Sequence, residues 1–178
     1  MFAMLKMETQ VEIEVLLAPP FNTTAIDLRL GPTITIPKKL PVAQRLDQPY
    51  DSAYVAKNSD RYTCSSTQPV SLDPNQFVLA QTIERANLPI NPGRPTFAAR
   101  VEGKSSRARL GMLVHFTAPT IHSGFNGKIT LEIINLSQNS IQLVPDSYIC
   151  QLIFERVSME PANTKNHFSG QQTPAGER

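Results

Sequence analysis

The 178-residue chain has no apolar run approaching the roughly 20 residues that cross a bilayer as a helix. Its opening, MFAMLKMETQ, lacks the roughly 7–15-residue apolar stretch of a secretory signal. No membrane partner is expected, and a cytoplasmic location is. Cysteine is scarce: Cys64 and Cys150 stand far apart and match no metal-ligand spacing, so two reduced thiols are expected. An excess of one charge is missing too. Seventeen Lys and Arg against 15 Asp and Glu leave a net charge of +2, too little to argue for a nucleic-acid polymer or an acidic lipid surface as partner. There is no internal repeat, no low-complexity tract and no helical pattern of about 12 residues or more.

Proline is plentiful. Fifteen prolines punctuate short apolar runs, and 40% hydrophobic with 18% charged residues is ordinary globular material. The length suits one domain with a real core. Strand-like runs recur: VEIEVLL (Val11–Leu17), AIDLRL (Ala25–Leu30), TITI (Thr33–Ile36), QFVLAQTI (Gln76–Ile83), TFAARV (Thr96–Val101), MLVHFT (Met112–Thr117), GKITLEIIN (Gly127–Asn135), IQLVP (Ile141–Pro145) and YICQLIFERV (Tyr148–Val157). Between Pro37 and about Thr67 the chain is polar and poorly periodic, which predicts a long excursion with short strands. The convincing helix start lies in GKSSRARLG, with a serine cap and Gly111 as stop. The expected fold is all-β, closed or sandwich-like, with one or two short helices. Residues 1–157 form the β domain and residues 158–178 a polar tail.

In GKITLEIIN, Ile129, Leu131 and Ile133 point one way and Thr130, Glu132 and Ile134 the other. Glu132 is the one acid in the run. Its face either meets water, as half-buried strands commonly do, or has a chemical task. A second stretch, VEGKSSRARLG (Val101–Gly111), follows a strand and opens a short helix with two serines and Lys104. It reads either as a capped basic surface turn or as a phosphate cradle, since unpaired N–H groups and basic side chains welcome an anion. It is not a Walker A loop, because G-x-x-x-x-G-K-[ST] is absent.

GKSSRARLG, then IHSGFNGKITLEIIN, then YICQLIFERV, with AIDLRLG and PNQFVLAQTIERANLP upstream and GQQ near the end, resembles the dCTP deaminase/dUTPase superfamily. The resemblance covers roughly Asn22 to Gln172. It implies a distorted β-barrel or jelly-roll-like subunit, dUTPase-like, in a homotrimer with active sites between subunits. The glutamate at position 132, and a tail that reads SGQQTP rather than glycine-rich, are similar to the deaminase branch. That branch makes dUTP and ammonia from dCTP. An enzyme that also releases pyrophosphate, and a nucleotide-binding trimer without turnover, are the alternatives.

Deaminating cytosine needs water at C4, a proton at N3 and ammonia leaving. Zinc deaminases carry H-x-E and P-C-x-x-C, and neither occurs here. The expectation is therefore no cofactor at the reacting carbon, with a carboxylate as base. The resemblance assigns that task to Glu132, with Ser105 and Arg109 orienting the water and stabilising the tetrahedral centre. It assigns Lys104, Ser106 and a tail glutamine, Gln171 or Gln172, to the triphosphate, which would bring Mg²⁺ with it. Thr130 and the stretch Thr117–Ile121 would present backbone groups to the pyrimidine edge. Phe125 would either cover the ribose or fill the core. The tail would act as a lid, with dTTP a candidate inhibitor. Departures from the family cluster at sugar and phosphate positions. His122-Ser123 replaces an aspartate–proline pair, Thr120 an arginine and His167 a lysine. His122 can still hydrogen-bond a sugar hydroxyl, but it argues against a second hydrolysis.

Overall fold

Alternating apolar and polar residues sort the strands into two facing sheets and a small ribbon. A computed structural model describes residues 3–6, 12–15, 24–41, 43–45, 47, 49–159, 161 and 168–177. The chain runs through β1 (Ala3–Lys6), β2 (Glu12–Val15), β3 (Ile26–Arg29), β4 (Thr33–Pro37), α1 (Ser52–Lys57), β5 (Ser59–Thr63), β6 (Val70–Leu72) and β7 (Phe77–Asn87). It continues through β8 (Thr96–Gly103), α2 (Ser105–Ala108), β9 (Met112–Val114), β10 (Thr120–Ile121), β11 (Asn126–Asn135), β12 (Ile141–Leu143) and β13 (Tyr148–Val157). The larger sheet has the order β1-β2-β7-β11-β9, with β4 joining β7 and β5 joining β4. The second runs β10-β8-β13-β3, and β12 pairs with β6. All these pairings are antiparallel. The all-β, sandwich-like class read from the sequence is the one observed.

The core lies between the sheets. Val78 and Ala80 of β7 and Leu131 and Ile133 of β11 face Leu28, Val101 and Leu152 of the other sheet, each essentially shut off from solvent. Burial of such side chains stabilises by about 1.5–3 kcal/mol each. One ion pair crosses this core. Arg29 Nε donates to Glu84 Oε1 at 2.8 Å, and its backbone N–H donates to Oε2 at 2.9 Å, tying β3 to β7. Cys64 and Cys150 are free and buried, and burial pushes both thiols above their ordinary pKa.

Three local expectations need correction. The excursion after β4 holds a helix, α1, which the sequence reading missed; Asp51 caps it by accepting from the Ala53 N–H at 2.9 Å. At fewer than two turns it shows no periodicity to detect. The serines of GKSSRARLG do not cap α2: Lys104 occupies the cap position, without a side-chain cap bond, and the serines lie in the single turn itself. Gly111 does stop it, at φ 84, where an added Cβ would fall 2.7 Å from the Ser137 Cβ. Strand β9 ends at Val114, three residues short of expectation, because His115 turns to φ 58. His167 and the ends of VEIEVLL lie outside the described residues.

Candidate active site

Strand β11 places Thr130, Glu132 and Ile134 on the face away from the core, opposite Gln81, Leu79 and Phe77 of β7. That face is only partly exposed. It forms the wall of a cavity of about 700 Å³. Glu132, Thr130, Ile121, His122 and Gln171 all line it, beside Leu79, Phe77, His115, Phe125 and Tyr50. The Glu132 side chain keeps 28% of its exposure. The lone acid of the strand thus faces a half-open, mostly apolar cavity.

Beside it lies His115, which the sequence did not single out. The His115 N–H donates to the Glu132 carbonyl at 2.7 Å, and Nδ1 lies 3.8 Å from Glu132 Oε2. Burial lowers the imidazole pKa, against the opposing pull of the Glu132 carboxylate. The ring is thereby biased toward its neutral form. Glu132 Oε2, Thr130 Oγ1, Gln81 Nε2 and Thr35 Oγ1 are buried without a hydrogen-bond partner among the described residues, while the His115 ring has the Ala118 backbone beside it as a hydrogen-bonding group. Register puts Thr35 opposite Leu79, and Leu79 opposite Glu132, so Thr35, Gln81, Thr130 and Glu132 share one face. Buried polar atoms are normally partnered, and a cluster of unpartnered ones marks a site. The signal for His115 was a polar ring inside the apolar run MLVHFT. Nothing in its spacing tied it to Glu132.

A β-bulge shapes the upper end. The β7–β11 register shifts between Lys128 and Thr130, where Thr82 Oγ1 accepts from the Ile129 N–H at 3.0 Å and donates to the Glu84 carbonyl at 2.8 Å. The freed Lys128 carbonyl accepts from Gln171 Nε2 at 2.7 Å. Gln171 is 3% exposed, so its amide clips the tail to β11. Phe125 is 4% exposed and shared between core and cavity wall. His122 is exposed at the cavity. The tail is not frayed over residues 168–177: Ala175 is fully buried and Tyr50 Oη donates to its carbonyl at 2.7 Å. Burial, with the carboxylates of Asp51, Glu132 and Glu177, pushes the Tyr50 phenol above its ordinary pKa, so it stays a donor.

The serine–arginine turn lies elsewhere on the chain. None of Lys104, Ser105, Ser106 and Arg109 lines the cavity. Ser105, Ser106 and Arg109 are exposed. Lys104 Nζ is held by Asp27 Oδ2 at 2.6 Å and sits 5.8 Å from the Tyr148 ring centroid. One chain therefore carries the two halves of the expected machinery on separate surfaces. Among the described residues no group of three or more His, Cys, Asp or Glu could hold a metal ion.

Comparison with known proteins bears on the fold and the family. A solved 2′-deoxycytidine 5′-triphosphate deaminase from Agrobacterium tumefaciens superposes with a TM-score of 0.61 at 18% identity, over 82% of this chain and 43% of that one, a likeness of fold. The "dCTP deaminase, dUMP-forming" of Methanosphaera stadtmanae is 34% identical over 144 residues, covering 81% of this chain and 70% of that protein. The protein of the same name from Coprothermobacter proteolyticus is 33% identical over 175 residues, covering 93% of this chain and 86% of its own. Both names give dUMP as product, where the sequence reading took dUTP and kept pyrophosphate release as an alternative. A family model described as dCTP deaminase-like matches residues 4–157. A match of that extent, with relatives a third identical across most of the chain, shows that the chain belongs to the dCTP deaminase-like family.

Proposed function

We propose that the Glu132 cavity deaminates dCTP. The observation that carries this reading is the Glu132 carboxylate on a cavity wall, with buried Oε2 unpartnered. The cavity falls within the roughly 300–1,000 Å³ of small-molecule sites. Water attacks C4 of cytosine; Glu132 takes its proton and delivers it to N3. Glu132 next carries the remaining hydroxyl proton of the tetrahedral carbon to the amino group, which leaves as ammonia as the new oxygen becomes the uracil carbonyl. A positioned carboxylate of this kind contributes about 10²–10⁴-fold. Backbone groups around Thr120, Ile121 and Thr130 read the pyrimidine edge, and Phe125 lies against the sugar. The triphosphate, with its own Mg²⁺, belongs to the substrate. A cytoplasmic location fits such a substrate, and dTTP, with a similar sugar and triphosphate, is a candidate inhibitor.

Ser105 and Arg109 reach this chemistry from a second copy. A homotrimer supplies it, with the serine–arginine turn of one chain against the Glu132 cavity of the next. Lys104 must leave Asp27 if it is to hold phosphate.

The product is dUMP, following the names of the relatives, and this replaces the dUTP first expected. A second water then attacks the α-phosphorus of bound dUTP, and pyrophosphate leaves. His122, standing where the resemblance leads one to expect an aspartate, makes this the step to measure. Purified protein with Mg–dCTP is expected to release ammonia and pyrophosphate in equal amounts. Glu132→Gln is expected to lose about 10²–10⁴-fold in kcat for ammonia release while remaining folded by circular dichroism. Full activity in that variant would remove Glu132 as the base. Ammonia without pyrophosphate would restore dUTP as the product.

A further inference from the structure

We propose that Gln81 of β7 is a positioning residue for Glu132, and that with Thr35 and Thr130 it holds a buried water that binds Glu132 Oε2 from the protein side. Strand register brings the four residues together. Gln81 stands directly opposite Thr130 on β11, and Leu79 stands opposite both Glu132 on β11 and Thr35 on β4. Gln81 is thus the diagonal neighbour of Glu132 on one side and of Thr35 on the other, a spacing of about 7–8 Å that a long side chain bridges. Thr35 is 1% exposed and Gln81 4%. Thr130 and Glu132 line the cavity, and Thr35 and Gln81 do not.

The inventory of donors and acceptors decides the ligand. Gln81 Nε2 only donates, the Glu132 carboxylate only accepts, and the two threonine hydroxyls do either. Nε2, Oε2 and both hydroxyls are buried with no partner among the described residues. A cation here would meet the N–H groups of Gln81, and an anion would meet the carboxylate. Water suits both: it accepts from Gln81 Nε2 and one threonine hydroxyl, and donates to Glu132 Oε2 and the other hydroxyl. Buried waters commonly make about three such bonds. His115 Nδ1 faces the same oxygen at 3.8 Å, beyond hydrogen-bond distance. Oε2 is itself shut off from solvent, so the exposed part of the Glu132 side chain lies elsewhere, which leaves Oε1 for the attacking water. Holding one oxygen fixes where the other points, and misplacing a reacting group by about 1 Å costs on the order of 10²-fold.

A crystal structure of the ligand-free protein, at a resolution that shows ordered water, tests the site without any reaction. One water is expected about 2.7–3.2 Å from both Gln81 Nε2 and Glu132 Oε2. The positioning role rests on the deaminase reading and is tested by kinetics. Gln81→Met and Thr35→Val keep the shape and remove the polar atom. Each is expected to lower kcat for ammonia release about 10-fold, with KM for dCTP within about two-fold. Thr35→Ser restores the hydroxyl and is expected to match wild type. Rates are compared per folded protein, because a packing defect lowers the melting temperature and leaves kcat of the folded enzyme unchanged. No water at that position, or a direct bond from Gln81 to Glu132, would overturn the site. Wild-type kcat in either Gln81→Met or Thr35→Val would overturn the positioning role. A loss in Thr35→Ser equal to that in Thr35→Val would assign the effect to packing and overturn it as well. A wild-type protein that releases no ammonia would defeat the deaminase reading and the positioning role with it, and the electron density would still decide the water.

Discussion

Glu132 and His115 show how far a single letter can be read. Glu132 stood out because an acid among β-branched residues needs a reason, and the cavity supplies one. His115 did not stand out, because its relation to Glu132 is made by strand pairing across seventeen positions of sequence. Its consequence is a pH dependence with a definite sign. Burial lowers the folded-state pKa of His115 below the ordinary 6.5. Between that lowered value and about 6.5 the unfolded chain binds a proton the folded chain refuses, so stability falls as pH drops through this window. Denaturant titrations at pH 7.5 and pH 5.5 are expected to show the loss. His115→Gln, which cannot titrate, should show a smaller one. Equal losses in the two proteins would mean that carboxylates elsewhere account for the effect.

At the scale of elements, strands were legible wherever alternation ran beyond about six residues. β7, β8, β11 and β13 appear where expected, within a few residues. The short helix α1 and the particular contacts that seat the tail were not legible. α1 rests on a local cap, and the tail rests on contacts with Tyr50 and β11 that are distant in sequence. The meeting of tail and hairpin depends on Gly127. A Cβ there would lie 3.3 Å from Phe125 Cζ and 3.5 Å from the Gly170 nitrogen, tighter than a comfortable contact. Gly127→Ala should therefore lift the tail rather than unfold the sheet. Overpacking of this size costs about 1 kcal/mol, which speeds exchange of the 168–177 amides about five-fold. Unchanged exchange in that variant would show that Phe125 or the tail yields without cost.

At the scale of the whole molecule, the decisive fact is a separation. The cavity carries the carboxylate, and the serine–arginine turn is exposed elsewhere on the same chain. In the proposed ring of three copies each site would take its base from one chain and its arginine from the next. Mixing inactive Arg109→Ala with inactive Glu132→Gln, after dissociation and reassembly, then rebuilds some sites from the two intact halves. Random mixing of equal amounts gives about a quarter of wild-type ammonia release, since each site needs one particular neighbour order. No recovery, with trimers shown to have exchanged, would place both halves of the site within one chain.

The sequence by itself determined the class of fold, the family and the acid on β11. Those follow from periodicity and from motifs contiguous along the chain. Only the tertiary structure decided that His115 lies beside Glu132, that Lys104 is held by Asp27, and that the tail comes to rest on Tyr50. Each of these joins residues whose neighbourhood is created by strand register and sheet packing. Pairing energies of that kind act across space, so spacing along the chain carries no trace of them.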